Sequence, residues 1–220
     1  MKLVLNVDAS DEGEPQSPVP ITSALEPVLE RELLELYPDA ARCELAEVSV
    51  SLMTPEEIRR INREYRDCDE ATDVLSFPMC EEEQTPSGEK FSLDLSMPVL
   101  PLGDVVICPE ETARLHPELP PDEAMCLMLA HSFLHLLGWD HDTEERQKAM
   151  WARQDALKAR LLAALAADEK DKISCLSAGG NTAHPCASAG TKTSCLSAGG
   201  NTAHPCASAG TKTSCLSEAR

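Results

Sequence analysis

"DEAMCLMLAHSFLHLLG" (residues 122–138) is the stretch that decides the fold of this 220-residue chain. Acidic residues stand at its start, Gly138 stands at its end, and apolar residues dominate in between. This pattern predicts an α-helix that is buried on most of its sides. Two histidines, His131 and His135, interrupt the apolar run and indicate that the helix also carries a functional site.

The spacing of the histidines predicts a metal site. His131 and His135 are four residues apart, so their imidazoles lie on one face of the helix, one turn apart. Gly138 lets the chain reverse, and His141 follows closely enough to fold back toward the same point. Three neutral imidazoles suit Zn²⁺ and leave a fourth position for water. We expect Asp140 to orient a histidine from outside the ligand set.

Two alternatives to a catalytic metal site stay open at this point. The histidines could be ordinary core or surface side chains, or they could form a structural zinc site with Asp140 as a fourth ligand. The residue after the first histidine narrows the chemistry, because zinc proteases of the H-E-x-x-H type have a glutamate there as general base. Here Ser132 stands in that place, and a neutral hydroxyl cannot act as that base at neutral pH. Peptide hydrolysis is therefore disfavoured, and a substrate with its own acid–base groups is favoured.

Composition limits the class of protein. A hydrophobic content of 42% is enough for a core. No apolar run approaches the ~20 residues that span a bilayer, so we expect no membrane association. The start of the chain predicts a strand rather than a signal peptide, which makes a cytoplasmic location the default expectation. A net charge of −19 disfavours non-specific binding to nucleic acid, so any such role needs a local basic patch.

The order of predicted elements indicates an α+β fold. Strands are predicted at 2–7, 43–52, 72–79 and 103–109, and helices at 21–37, 54–66 and 122–138, followed by a last helix that begins with a capping box of Asp142 and Glu145. The acidic stretch 80–101 is predicted to be a loop. Together these elements predict a single layered domain, residues 1–170, with a small mixed sheet of about four strands and a central buried helix that carries the tri-histidine metal site.

The C-terminal segment differs in composition from the rest. "ISCLSAGGNTAHPCASAGTK" (173–192) recurs almost unchanged at 193–212. The repeat has no periodic apolar face, so we predict that 171–220 is a disordered, repetitive tail. Five of the ten cysteines fall in this tail, and the other five are scattered singly, which predicts free thiols rather than a disulfide framework.

Three motifs resemble those of one known family. "HSFLHLLGWDH" (131–141) resembles the H-G-x-L-H-L-x-G-[aromatic]-D-H motif of the YbeY family, bacterial endoribonucleases that mature ribosomal RNA. "INREYRDCDEATDVLSFP" (61–78) and "LGDVVICPE" (102–110) resemble two further blocks of that family. The chain departs from the family pattern at three positions: Ser132 replaces a glycine, Cys68 a lysine and Ala71 a proline.

The resemblance implies a function. It suggests a single-strand-specific, metal-dependent endoribonuclease in the maturation of the 16S ribosomal RNA 3′ end, in ribosome biogenesis and in its quality control. One Zn²⁺ per chain is expected on His131, His135 and His141, with Arg66 and His131 as catalytic residues. The expected partners are single-stranded RNA, ribosomal RNA and the small ribosomal subunit. Asp104, like Asp140, is a further candidate for a residue that orients a metal ligand from outside the ligand set.

Helix 54–66 offers the basic patch that RNA binding needs. Three arginines share one face of this helix, and three apolar side chains share the opposing face. The arginines are Arg59, Arg63 and Arg66; the apolar residues are Ile58, Ile61 and Tyr65. We predict that the arginines contact RNA phosphates, with an ordinary solvated face as the alternative for Arg59 and Arg63. Two other functions stay open: a non-catalytic ribosome-assembly factor with a structural zinc, and a metallohydrolase that acts on another substrate.

Overall fold

The computed structural model describes residues 1–9, 21, 23–79, 81–85 and 88–178. Its strands are β1 (Lys2–Ala9), β2 (Leu45–Leu52), β3 (Val74–Pro78), β4 (Glu81–Thr85), β5 (Gly88–Ser92) and β6 (Val99–Ile107). Its helices are α1 (Glu26–Leu36), α2 (Pro55–Arg66), α3 (Pro109–Leu115), α4 (Pro121–Leu136) and α5 (Glu144–Ala178), with a 3-10 helix at Pro38–Arg42. This mixture of elements confirms the predicted α+β class.

The main sheet has four strands in the order β1-β2-β6-β3. β1, β2 and β6 run parallel, and β3 pairs antiparallel with β6 at the edge of the sheet. The sheet is therefore mixed, as the sequence predicted. β4 and β5 form a separate antiparallel pair.

A bulge at Gly103 decides which side chains of β6 face the main core. Leu100 and Leu102 belong to this core before the bulge, and Val105 belongs to it afterwards, so the alternation shifts by one residue. Gly103 has a φ of 141°, and a Cβ atom there would lie 2.2 Å from the carbonyl oxygen of Phe77. Glycine is therefore required. The broken alternation explains why the sequence pattern predicted a strand only from residue 103 onward.

α4 is the central helix of the fold. It packs on β3 and β6 on one side and against α5 and α3 on others, and most of its side chains are buried. Leu129, Phe133 and Leu136 are each at most 1% exposed. The predicted central buried helix is confirmed. On the other face of the sheet, α2 covers one corner through Ile58, which packs with Leu75 of β3.

α1 is held against α5 by a buried carboxylate. Glu32 is fully buried and pairs with Arg153 and Arg160 of α5. The guanidinium of Arg153 also lies 5.5 Å from the centre of the Trp139 ring. A buried carboxylate without cations would be costly, so this cluster ties the position of α1 to that of α5.

The start of α5 differs from the predicted capping box of Asp142 and Glu145. Thr143 is the residue that caps the helix, because its Oγ1 accepts a hydrogen bond from the Arg146 backbone at 3.3 Å. Asp142 instead pairs with the Arg146 side chain at 2.9 Å. Both residue types can cap a helix, and the helix begins one residue later than predicted.

The structure also bears on four other expectations from the sequence. The stretch 80–101, predicted to be a loop, contains β4, β5 and the start of β6; its glutamates give no alternating apolar pattern to reveal strands. α5 continues to Ala178, past the predicted boundary at 170 and into the first repeat, whereas residues 179–220 lie outside the described residues. Of the scattered cysteines, four are described and are free: Cys43, Cys68, Cys108 and Cys126.

No helix within the described ranges is long and apolar enough to cross a membrane.

Candidate metal centre

Three histidines converge at the C-terminal end of α4. His131 and His135 lie on adjacent turns, and their Nε2 atoms are 3.0 Å apart. Gly138, with a φ of 78°, reverses the chain and brings His141 back to them. The ring centres of His131 and His141 are 5.5 Å apart, and those of His135 and His141 are 5.1 Å apart. The structure thus brings together the three side chains that the sequence predicted to meet.

Hydrogen bonds fix the orientation of both helical imidazoles. The Oε1 atom of Gln154 accepts from Nδ1 of His131 at 2.9 Å, so the lone pair of that imidazole lies on Nε2. The His135 ring bonds the backbone of Trp139, which likewise leaves its Nε2 facing the shared point. Two acceptor nitrogens 3.0 Å apart repel each other unless a cation lies between them.

The three nitrogens fit a metal ion. One nitrogen from each of His131, His135 and His141 lies within 4.8 Å of the other two. Zn²⁺ bound tetrahedrally at 2.0–2.1 Å would hold such nitrogens about 3.3 Å apart, so the distance between any two of them has to shorten by at most about 1.5 Å. Nε2 of His141 is buried and has no hydrogen-bond partner among the described residues, which is the expected state of a ligand atom that awaits a cation.

Burial keeps the helical histidines neutral. Desolvation lowers the pKa of His131 to about 4, against the smaller opposing effect of the Gln154 hydrogen bond. Desolvation and the neighbouring His131 and His141 lower the pKa of His135 to about 3. Both imidazoles are therefore unprotonated at neutral pH, and a metal does not have to displace a proton from either of them.

Two charged residues, one at the end of α2 and one just before β3, act on the pKa values of the histidines. The positive charge of Arg66, at the end of α2, contributes to lowering the pKa of both His131 and His135. The carboxylate of Asp73 acts in the opposite direction on His131. Asp73 is buried, and one of its oxygens accepts a hydrogen bond from Nε2 of His116 at 3.2 Å.

Arg59 and Arg63 are engaged elsewhere. The side chain of Asp69 binds Arg59 through two hydrogen bonds of 3.0 Å and contacts Arg63 at 3.4 Å. Asp69 belongs to the turn after α2, where Asp67 has a φ of 56° and folds the chain back over the helix. The structure therefore does not unite the three arginines at one site: it places the charge of Arg66 near the histidines and pairs the other two with a carboxylate.

The two predicted supporting aspartates differ in position. Oδ1 of Asp140 accepts a hydrogen bond from the backbone nitrogen of His141 at 2.7 Å, so it shapes the turn that returns this histidine. Asp104 pairs with Phe77 across the β3–β6 ladder, and Phe77 faces the α2 side of the sheet. Residues directly opposite each other in an antiparallel pair lie on the same face of the sheet. Asp104 therefore lies on the α2 face, and the sheet separates it from α4.

Gln154 is the site residue that the sequence analysis missed. Its signal was present, because Met150, Leu157 and Leu161 form the buried stripe of α5 and position 154 falls on the same stripe. A polar side chain among buried apolar ones needs a hydrogen-bond partner, and here that partner is His131. Ser132, on α4, is also fully buried, and its Oγ has no hydrogen-bond partner in the described part of the chain.

Comparison with known proteins identifies the family. The family model described as endoribonuclease YbeY matches residues 16–162, which include α4, the three histidines and Gln154. This chain belongs to the YbeY family. The endoribonuclease YbeY of a Thermoanaerobacter species is 43% identical over 117 residues, 52% of this chain and 74% of the relative.

Other YbeY relatives extend the match. The endoribonuclease YbeY of Caldanaerobacter subterraneus is 37% identical over 141 residues, 63% of this chain and 89% of the relative. That of Bacillus cereus is 43% identical over 111 residues, 50% of this chain and 69% of the relative. A solved structure from Thermotoga maritima aligns with 75% of this chain and 93% of its own, at 23% identity and a TM-score of 0.43.

Proposed function

We propose that this protein is a metal-dependent endoribonuclease that cleaves single-stranded RNA in the maturation of small-subunit ribosomal RNA. The observation that carries the proposal is the convergence of His131, His135 and His141 within 4.8 Å in a chain of the YbeY family. Zn²⁺, one ion per chain, is the metal that best suits three imidazoles with an open fourth position. The catalytic domain in this proposal is residues 1–170, acting in the cytoplasm with ribosomal RNA and the small ribosomal subunit as partners.

The chemistry of the site suits a phosphodiester. When bound, the metal supplies Lewis acidity toward a phosphate oxygen or a water molecule. The side chain next to His131 is that of Ser132, which provides no carboxylate base. Cleavage of RNA depends less than cleavage of a peptide on a carboxylate base that activates water, because the 2′-hydroxyl of RNA is an internal nucleophile.

The protein's own side chains complete the site. Burial holds His131 and His135 neutral, and Gln154 keeps the lone pair of His131 directed inward. Arg66 is the cation of the proposed mechanism, because its charge reaches both histidines. A guanidinium beside the scissile phosphate stabilises the negative charge that develops on the phosphate oxygens.

The depth of the histidines favours an unpaired strand. His131 is 4% exposed, so a phosphate must enter a recess to approach it. A single strand can splay its bases and present one phosphate to such a recess, whereas a duplex holds its phosphates along a rigid surface.

One set of purified variants tests the proposal. The wild-type chain is expected to hold about one metal ion and to cut a single-stranded oligoribonucleotide, and His131→Ala should abolish cleavage. Arg66→Ala should lower kcat about 10²- to 10³-fold, by analogy with the loss of one charge-stabilising group. Arg59→Ala is the matched control and should change kcat less than about threefold, because Asp69 already binds this arginine.

Two outcomes would contradict the proposal. One is a metal-loaded wild-type protein that cuts no RNA. The other is cleavage that survives in His131→Ala at the wild-type rate, which would indicate a contaminating nuclease.

A further inference from the structure

Tyr65 is an exposed aromatic side chain on α2. The helical pattern puts it on the apolar face with Ile58 and Ile61, and Ile58 is indeed fully buried. Tyr65 instead remains 65% exposed. Its ring contacts Phe77 of β3 in an edge arrangement, with the ring centres 5.3 Å apart and the planes at 69°. The tyrosine is thus fixed by one neighbour while much of its surface remains accessible.

This ring lies on the α2 side of β3, and α4 with its histidines packs on the other side of the sheet. The next residue, Arg66, ends α2 and is the cation of the proposed mechanism. Contacts of β3 link the aromatic pair to the histidine helix. A Cβ atom on Gly103 would lie 2.2 Å from the carbonyl oxygen of Phe77 and 3.0 Å from Cδ2 of Leu136. Phe77 and Leu136 are therefore close neighbours. Leu136 directly follows His135 on α4, so the backbone of Phe77 borders the end of the helix that carries the histidines.

The aromatic pair also stands at the border of the sheet. β3 is the edge strand and pairs with β6 alone in the main sheet. An extended strand of nucleic acid that runs along this edge would pass the histidines of α4 on one side of β3 and Tyr65 of α2 on the other.

We propose that Tyr65, supported by Phe77, stacks on one unpaired base of the RNA, next to the phosphate that Arg66 and the histidine centre receive. This proposal rests on the proposed function and adds the group that selects the substrate. Every base has a face that can stack on an aromatic ring, so the contact tolerates any sequence. A base in a duplex has both faces covered by its neighbours, so the same contact accounts for a preference for single strands.

The charge of the chain makes such a contact useful. With a net charge of −19, long-range attraction of RNA is unfavourable, and Asp69 already binds Arg59 and Arg63 of α2. Stacking depends little on charge and can therefore hold a base where general electrostatics do not help.

Cleavage of oligoribonucleotides that carry one abasic nucleotide tests the proposal. The abasic site is moved one position at a time past the cleaved bond, and kcat/KM is measured for each substrate. In the wild-type protein, one position should lower kcat/KM roughly fivefold to a hundredfold, the range for loss of one stacked base. In Tyr65→Ala and in Tyr65→Leu, which keeps an apolar contact with Phe77, the intact substrate should lose the same factor and the abasic penalty at that position should vanish.

Two variants serve as controls. Tyr65→Phe retains the ring and should keep the abasic penalty. Val7→Ala truncates another exposed apolar side chain, 39% exposed on β1 at the opposite edge of the sheet, and should behave as the wild type does.

The results separate this inference from the proposed function. An abasic penalty of equal size in the wild type and in Tyr65→Leu would overturn the stacking contact while leaving the endoribonuclease in place. The stacking contact is also overturned if Tyr65→Leu and Tyr65→Ala cut intact RNA at the wild-type rate. A wild-type protein that cuts no substrate would overturn the proposed function itself.

Discussion

Gln154 illustrates how one side chain outside the ligand set controls the proposed metal centre. It is 6% exposed, and its Oε1 is the acceptor that fixes which nitrogen of His131 carries the proton. Without an acceptor there, the N–H of His131 would be buried and unpaired, and the ring would be free to take the other tautomer.

We therefore expect Gln154→Leu to weaken metal binding about 10- to 100-fold. Gln154→Glu, which keeps an acceptor, should bind at least as tightly as the wild type. The measurement is competition for Zn²⁺ with a chromophoric chelator. Gln147→Leu makes the same change two turns earlier on α5 and serves as the control; equal affinity in Gln154→Leu and Gln147→Leu would contradict the role of Gln154.

The half-buried His116 and the buried Asp73 form a second interaction, and its contribution to stability depends on pH. The hydrogen bond with Asp73 raises the pKa of His116 above its ordinary 6.5, against the opposing effect of burial. Burial raises the pKa of Asp73, but hydrogen bonds from His116, Thr72 and the Val74 backbone outweigh it, so this pKa lies below 3.8. The histidine contributes stability in full below about pH 6.5 and loses it as the pH rises through its folded-state pKa. The aspartate contributes stability above about pH 3.8 and loses it as the pH falls through its lowered pKa.

The loss of unfolding free energy in His116→Ala should therefore be larger at pH 6 than at pH 9, when both are measured by urea denaturation. Arg31→Ala removes an exposed ion pair with Glu35 and should give a small loss that is equal at the two pH values. A His116→Ala deficit that does not change with pH would show that the histidine is neutral in the folded protein.

Among the elements, β6 depends on a single glycine. A Cβ at position 103 would lie 2.2 Å from the Phe77 carbonyl oxygen, and the φ of 141° is strained for any other residue. Gly103→Ala should lower the free energy of unfolding by about 3 kcal/mol or more, measured by urea denaturation. Gly138→Ala, at a φ of 78°, is the comparison and should cost about 1–2 kcal/mol. An equal cost at the two glycines would mean that the Phe77 contact relaxes freely.

The elements also show what the sequence could and could not predict. α4 was predictable because its apolar run, glycine end and histidine spacing are all local. The exposure of Tyr65 was not predictable, because the helical pattern of α2 does not indicate where the sheet that supports this helix ends. The pairing of Arg59 with Asp69 escaped prediction for a similar reason, since it depends on a turn with a positive φ at Asp67. Gln154 was predictable in principle from its place on an apolar stripe.

At the scale of the whole molecule, the proposed metal links function to stability. A ligand that binds only the folded state adds about 4 kcal/mol to the free energy of unfolding when its free concentration is a thousand times its Kd. For a domain of this size, 1 kcal/mol moves Tm by about 2–4 °C. Removal of the metal with a chelator should therefore lower Tm by roughly 8–16 °C, measured by calorimetry. His131→Ala should have a low Tm that the chelator does not change; a chelator shift of equal size in this variant would place the stabilising ion elsewhere.

The bulge in β6 has a consequence for how this chain can change in length. Before Gly103 the inward side chains of β6 have even numbers, and after it they have odd numbers. Leu102 is the extra residue of the bulge, because Pro101 pairs with Glu47 and Gly103 pairs with the next residue, Val48. Deletion of Leu102 would restore regular alternation and keep Val105 inward and Asp104 outward, whereas a deletion at another position of β6 would exchange the two faces of the strand on one side of it. Relatives that keep this fold should therefore differ in strand length at the bulge before they differ in the stretches that flank it.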